Sequence, residues 1–435
     1  MIQMKKVWLP VTIACALLVY ACSSAKKTTT PSPVTAVPAK PAAPKEEARK
    51  PAVKAPFNVP AFARDERKPA YNVAVFAPFY TDSAFAGAAD LPAGKSLPRY
   101  TLPGLEFYEG VQLAADSLLM HGIPLKLFVY DTKSRQGVNS LVRNGSLDSM
   151  DLIIGALNAP ELKDLSEFAR SKEINLLSAT YPNDAGISNN PFLLLANSTL
   201  RTHCEALQNF AQKGFATRNV LVFHRNTALE NKLAADFKTA YTNMDYDKKS
   251  RIRDVVFEEN MTDQQLESFL LTDRPNVCIV TALDEAGAKA VLRKLATKAD
   301  AYPLHIFGMP TWDVMKFKEP EFRSLQIYYS TPYFNEKNDT YSRYLVDYFR
   351  RVYKSRPSDM AFKGFELTYY FGTLLHDQGV YFTPEVNQSA KLYTNYNFQP
   401  VYAHDGDATP AYFENKNIYI VQKSDSTADV RVSAN

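Results

Sequence analysis

The sequence predicts an α/β protein of two doubly wound parallel-sheet lobes, and three observations carry that reading. Residues 151–184 hold one complete unit. An apolar run, Leu152-Ile153-Ile154, stops at Gly155; helix-spaced Leu162, Leu165, Phe168 and Ala169 follow; a second run, Ile174 to Leu177, stops in Ser178-Ala179-Thr180-Tyr181. The same alternation of short strands with helices recurs along most of the chain, the pattern of parallel sheets with helices on both faces. About 365 residues lie beyond residue 69, more than one core comfortably serves, so two domains are expected.

Taken in order, the first elements lie outside the fold. Lys5 and Lys6 precede an apolar stretch from Val7 to Ala21. It is shorter than the roughly 20 apolar residues of a membrane span, and 1–21 reads as a secretory signal peptide. The stretch ends Leu18-Val19-Tyr20-Ala21-Cys22, which resembles a bacterial lipobox; the resemblance implies cleavage before Cys22 and its lipidation. Residues 22–69 follow as a Pro/Ala/Lys-rich tether. With nine prolines between 23 and 69 they cannot bury a core and favour extended states. Residues 23–69 carry 10 Lys+Arg against 4 acids, whereas 70–435 carry 38 against 42, so the overall +4 is a property of the tether. The folded part offers no basic excess for nucleic acid. Of four cysteines, Cys204 and Cys278 fall in the folded part, in contexts that suit small buried thiols, and no metal-ligand spacing occurs.

Strands are expected at 72–78, 125–130, 152–155, 174–178, 220–224, 252–258, 277–281 and 304–308, where short apolar runs end in turn residues. Helices are expected at 104–120, 137–142, 159–171, 200–213, 228–241, 262–271 and 285–298. The alternation breaks near 197–201 and again after Tyr328-Tyr329-Ser330, where two long helical stretches, 341–353 and 361–376, follow. Lobe 1 is therefore expected to comprise 70–198 and 332–379, and lobe 2 to comprise 199–331 and 380–424, with three crossings between them. The end reads as a hairpin of 391–401 and 417–421 around Gly406, then a disordered tail, 425–435.

Several segments carry a family resemblance: YNVAVFAPFY at 71–80, GLEFYEGVQLAADSL at 104–118, PLKLFVYDT at 124–132, DLIIGALNAPE at 151–161 and NLLSATYPND at 175–184. Together with the order of elements they resemble type I periplasmic binding proteins, most nearly the leucine/isoleucine/valine-binding branch, over residues 71–425. The resemblance implies two α/β lobes, a three-strand hinge and a cleft that closes on a ligand. In the amino-acid binders a Ser-rich loop and a Ser/Ala/Thr loop hold the ligand's backbone groups. Here the first position reads Ala156-Leu157-Asn158-Ala159 and the second Ser178-Ala179-Thr180-Tyr181. The loop that usually carries Tyr-Gly reads Thr227-Ala228-Leu229.

In parallel sheets, small molecules bind beyond the carboxyl ends of the strands. That selects Tyr80, Asn158, Ala159, Ser178, Thr180 and Tyr181 from lobe 1, and Asn226, Thr227, Asp284 and Trp312 from lobe 2. Amide groups at helix starts suit an anionic ligand group, and Tyr181 and Trp312 are expected as aromatic walls. Thr and Asn at helix starts also serve as caps, so both roles stay open. The connection 81–103 is long enough to be a lid. Within it, residues 89–96 match the spacing of a phosphate-binding loop, but neither a strand directly before nor a helix directly after is expected.

No GxSxG, HExxH or GxGxxG motif occurs, and the six histidines are scattered, so the reading is of a binding protein without cofactors or catalysis. The first expectation is a lipid-anchored periplasmic protein that captures a small polar, amino-acid-like ligand for an ABC permease. The alternative is an interaction lipoprotein of the same fold that regulates a peptidoglycan (cell-wall) synthase. The residue after Cys22 is Ser rather than Asp, which, by resemblance to the sorting rules of bacterial lipoproteins, implies the outer membrane.

Overall fold

The computed structural model describes residues 67–85, 96–215, 219–243, 251–389, 391–424 and 429–434. The signal peptide, Cys22, almost all of the tether and most of the phosphate-loop-like segment lie outside the described residues. The strands are β1 (Tyr71–Ala77), β2 (Leu125–Asp131), β3 (Leu152–Gly155), β4 (Asn175–Ser178), β5 (Leu193–Leu195), β6 (Asn219–His224), β7 (Arg251–Val256), β8 (Asn276–Val280), β9 (Leu304–Gly308), β10 (Gln326–Thr331), β11 (Phe398–Val401), β12 (Tyr412–Asn415), β13 (Tyr419–Gln422) and β14 (Val430–Ala434). The helices are α1 (Thr81–Ala84), α2 (Leu102–Met120), α3 (Gly137–Arg143), α4 (Ala159–Lys172), α5 (Leu200–Gly214), α6 (Ala228–Thr242), α7 (Asp263–Glu267), α8 (Glu285–Ala296), α9 (Thr340–Val352) and α10 (Asp359–Gln378).

These elements form two seven-stranded sheets, in the orders β11-β12-β5-β4-β3-β1-β2 and β14-β13-β10-β9-β8-β6-β7. β1 to β5 and β12 are mutually parallel, and only β11 runs against them. In the second sheet β6 to β10 are parallel, and β13 and β14 complete it antiparallel. The near-continuous apolar strands follow from burial on both faces. Along β1, Val73, Val75 and Ala77 enter one core while Ala74 and Phe76 enter the other. Sheet 2 is likewise sandwiched, with Leu221 and Phe223 of β6 on one face and Val220 and Val222 on the other.

α2 and α10 pack against each other in the first lobe, and glycine sets their approach. A Cβ on Gly110 would sit 2.0 Å from the Ala361 carbonyl oxygen, and one on Gly364 would sit 2.1 Å from that of Phe107. The contacts rise in step along both helices, so the two run parallel, with both N-termini at the carboxyl edge of sheet 1.

Two expectations for the C-terminal region are corrected. The partner of the strand ending at Val401 is Tyr412–Asn415, not 417–421, and both strands join sheet 1 rather than lobe 2. β12 is obscured in the sequence because Glu414 and Asn415, though polar, are buried. Residues 430–434, expected as tail, pair with β13 as an edge strand. Cys204 and Cys278 are buried free thiols.

Candidate functional site

Three connections join the sheets, and the direction of their strands locates the groove. β5 ends at Leu195 on the carboxyl edge of sheet 1, and 196–199 lead directly into α5, which packs under sheet 2. β10 ends at Thr331 on the carboxyl edge of sheet 2, and the chain returns to α9 and α10 on lobe 1. β12 runs parallel to β5 and ends at Asn415; 416–418 then reach β13, which begins at Tyr419 opposite Thr331. All three crossings therefore leave or enter at carboxyl edges. The strand-end loops of each lobe therefore lie on the edge of its sheet from which the crossings run.

The crossings are bound together by a buried polar cluster. Glu414 is 1% exposed. Its carboxylate accepts from the Thr199 amide (2.7 Å), the Thr199 hydroxyl (2.8 Å), the Thr202 hydroxyl (2.7 Å) and the Lys416 ammonium (2.6 Å). Ser198 donates to the Asn415 carbonyl at 2.5 Å, and the Asn415 side chain accepts from the amides of Asn397 and Asn417, both at 3.1 Å. These hinge residues were not anticipated. A carboxylate set in an apolar, strand-like run at Tyr412-Phe413-Glu414 is the available signal.

On lobe 1, Asp131 shapes the loop after β1. Its carboxylate accepts from the amides of Phe79 (3.0 Å), Tyr80 (3.2 Å), Thr81 (2.8 Å) and Lys133 (2.8 Å), and from the Thr81 hydroxyl (2.7 Å). Burial alone would raise the Asp131 carboxyl, but the bonds from Thr81, Lys133 and Tyr80 outweigh it and hold it below the ordinary range. The clamp fixes Tyr80 at φ 56°, its ring edge-on to Tyr100 at 5.1 Å. After β3, exposed Asn158 caps α4: its side chain accepts from the Glu161 amide (3.0 Å) while Glu161 accepts from the Asn158 amide (2.9 Å). Lys133 pairs with Glu161 at 2.5 Å, and half-buried Ala159 opens the helix. After β4, the Ser178 hydroxyl is buried with no hydrogen-bond partner among the described residues. Thr180 is half-buried, its carbonyl accepting from the Asn197 side chain at 2.5 Å, and Tyr181 packs partly against the adjoining core.

On lobe 2, Arg225 is the charged centre. Its Nε donates to Glu230 at 2.7 Å, and its guanidinium also pairs with Asp284. The hydrogen bond it donates to Glu230 is the main reason the guanidinium is raised; burial opposes it and Asp284 adds to it. Asp284 caps α8, accepting from the Gly287 amide at 2.8 Å; that bond first, and Arg225 with it, lowers its carboxyl. Thr227 caps α6, and exposed Asn226 accepts from the Asn231 side chain at 2.9 Å. Trp312 is not a groove wall, contrary to expectation. It is fully buried in the lobe 2 core, and its indole N–H donates to the Ala282 carbonyl at 2.9 Å. Gly308 makes this possible: a Cβ there would lie 1.9 Å from the indole ring.

The strand-end residues thus gather into two sets, one per lobe, and much of their hydrogen-bonding capacity is spent within the chain. Glu161 and Asp284 occupy helix-start amides, and Arg225 is neutralised. Among the described residues no His/Cys/Asp/Glu group suits a metal ion, and no helix is long and apolar enough to cross a membrane.

The model of the periplasmic binding protein family matches residues 100–422, and the chain belongs to that family of non-enzymatic binding proteins. The fold is that of type I members. It is similar to a putative branched-chain amino acid ABC transporter protein from Rhodospirillum rubrum (TM-score 0.58, 13% identity, covering 83% of this chain and 100% of that one). It is also similar to an ABC-type branched-chain amino acid transporter protein from Rhodopseudomonas palustris (0.56, 13%, 84% and 96%). A third similar structure is the ABC transporter substrate-binding protein of Desulfitobacterium hafniense in complex with Leu (0.52, 13%, 83% and 99%). No curated protein matches this chain.

Proposed function

We propose that this chain is a lipid-anchored periplasmic solute-binding protein that captures a small polar, amino-acid-like ligand between its two sheets. The observation that carries the reading is that all three crossings between the sheets run between their carboxyl edges. Ligand contacts from both lobes would shift an open–closed equilibrium through their differential affinity. The proposed contacts are Tyr80, Asn158, Ala159, Ser178, Thr180 and Tyr181 on one side and Asn226, Thr227 and Asp284 on the other. The unpartnered Ser178 hydroxyl supports a polar ligand, and the Leu bound by the D. hafniense protein supports an amino-acid-like one. Cys22 would carry the lipid, with the outer membrane as the site and an ABC permease as the partner. Thermal unfolding tests the reading: a captured ligand at 100 times its Kd adds about 2.7 kcal/mol. No stabilisation by any amino acid, nucleoside or short peptide overturns it.

One observation favours a second reading, an interaction lipoprotein that regulates peptidoglycan synthesis. The helix-start amides and the Arg225 guanidinium are already satisfied by the chain's own carboxylates. Specific binding to a peptidoglycan synthase with no small-molecule ligand present would support it.

A further inference from the structure

At the outer edge of sheet 2 the chain leaves a cavity of about 630 Å3 between α6 and the strands β6 and β7. β7 is the last strand of its sheet and pairs only with β6 among the described residues. The parallel register sets Val222 beside Asp254 and His224 beside Val256, and side chains paired in this way share one face of the sheet. That face looks towards α6. The helix sends Leu233 and Phe237 into the core, while the short side chains of Ala234 and Ala235 line the cavity. Two methyl groups fill little of the space over β7, so Val222 and Ile252 remain as an apolar floor and neighbouring Val256 stays 46% exposed.

The cavity carries few charges. Among the described residues its one acid is Asp254, and that carboxylate is engaged within the chain: Nε2 of buried His224 lies 2.9 Å from it, while the His224 Nδ1 meets the Arg225 carbonyl at 3.2 Å. The amide of Asn231 is likewise used, donating to Asn226 at 2.9 Å. The one lysine of the lining is exposed Lys238, a turn on from Ala234, and its ammonium has no ion pair among the described residues. An apolar cavity of several hundred Å3 with a few polar groups is the usual form of a small-molecule site, and here the unanswered charge at its edge is positive.

We propose that this cavity binds a small apolar carboxylate, its hydrocarbon body between the alanines of α6 and the floor of Val222 and Ile252, and its carboxylate against the Lys238 ammonium. Burial of the hydrocarbon supplies the affinity. An ion pair at an exposed lysine adds selectivity for charge more than strength. Every residue of the site belongs to α6, β6 or β7, so it lies within lobe 2 and does not rest on capture of a ligand between the lobes.

Isothermal titration of the full chain with octanoate, 4-phenylbutyrate and octylamine tests it. At least one carboxylate binds, and octylamine, matched to octanoate in length but cationic, binds about tenfold more weakly. Lys238→Met weakens carboxylate binding about fivefold and tightens octylamine binding, a reversal that loss of folding does not produce. Ala235→Leu, which fills the trough from an exposed helix position, abolishes carboxylate binding with a melting temperature within a few degrees of the parent. Failure of both carboxylates overturns the inference, as does octylamine binding as tightly as octanoate. Unchanged affinity in both variants places the carboxylate elsewhere on the protein and also overturns it. If amino acids bind and these carboxylates do not, capture stands and this site falls. If the carboxylates bind and no amino acid, nucleoside or short peptide does, this site stands and capture falls.

Discussion

At Trp312 and Glu366, burial decides what a side chain does. Trp312 follows a strand end, where an aromatic ring is a natural candidate for a groove wall, yet it lies wholly inside lobe 2. Trp312→Ala is therefore expected to cost about 3–5 kcal/mol in urea denaturation. A groove wall would instead lose ligand affinity at nearly constant stability. Glu366, on α10, is buried, and that burial raises its carboxyl to about 7. The amide and hydroxyl of Thr394, the Tyr393 amide and the Tyr396 hydroxyl pull the other way without prevailing. The folded chain then keeps a proton that the unfolded chain releases near 4.5. The contribution of Glu366 to stability therefore falls as pH rises from about 4.5 to about 7, by roughly 3 kcal/mol. Denaturation of the parent and of Glu366→Gln across that window checks it: the parent is expected to lose stability relative to the variant as pH rises from about 4.5 to about 7.

Elements meet where small residues let them. The α2–α10 contact places Gly110 and Gly364 against backbone carbonyls, which cannot move aside as a flexible side chain can. Gly110→Ala or Gly364→Ala is expected to destabilise by about 1–3 kcal/mol despite the higher helix propensity of alanine, read as a lower denaturation midpoint. The caps act at the same scale. Asn158, Thr227 and Asp284 were equally readable as ligand contacts or as caps. Each does cap its helix, by accepting from the third amide of that helix. Capping does not exclude ligand contact, since all three side chains are exposed.

The whole molecule turns on three crossings and the buried carboxylate that binds them. Glu414→Ala would leave Lys416 and the Thr199 amide without their acceptor beside the hinge. It is expected to cost about 3–5 kcal/mol in chemical denaturation. The same cluster joins residues more than two hundred positions apart, Thr199 and Thr202 on one crossing and Glu414 and Lys416 on another. The cluster thus ties two of the three crossings to each other where they pass between the sheets.

The sequence by itself determined the two-lobed α/β architecture, most strand and helix positions and the strand ends that could carry a site. Apolar periodicity and turn residues are local properties, and a few neighbouring positions suffice to read them. Only the tertiary structure decided that 398–401 and 412–415 belong to sheet 1, that Trp312 is core, and that Arg225 is spent on Glu230 and Asp284. A polar residue in a short strand or a ring beside a helix has several possible environments, and long-range packing selects among them.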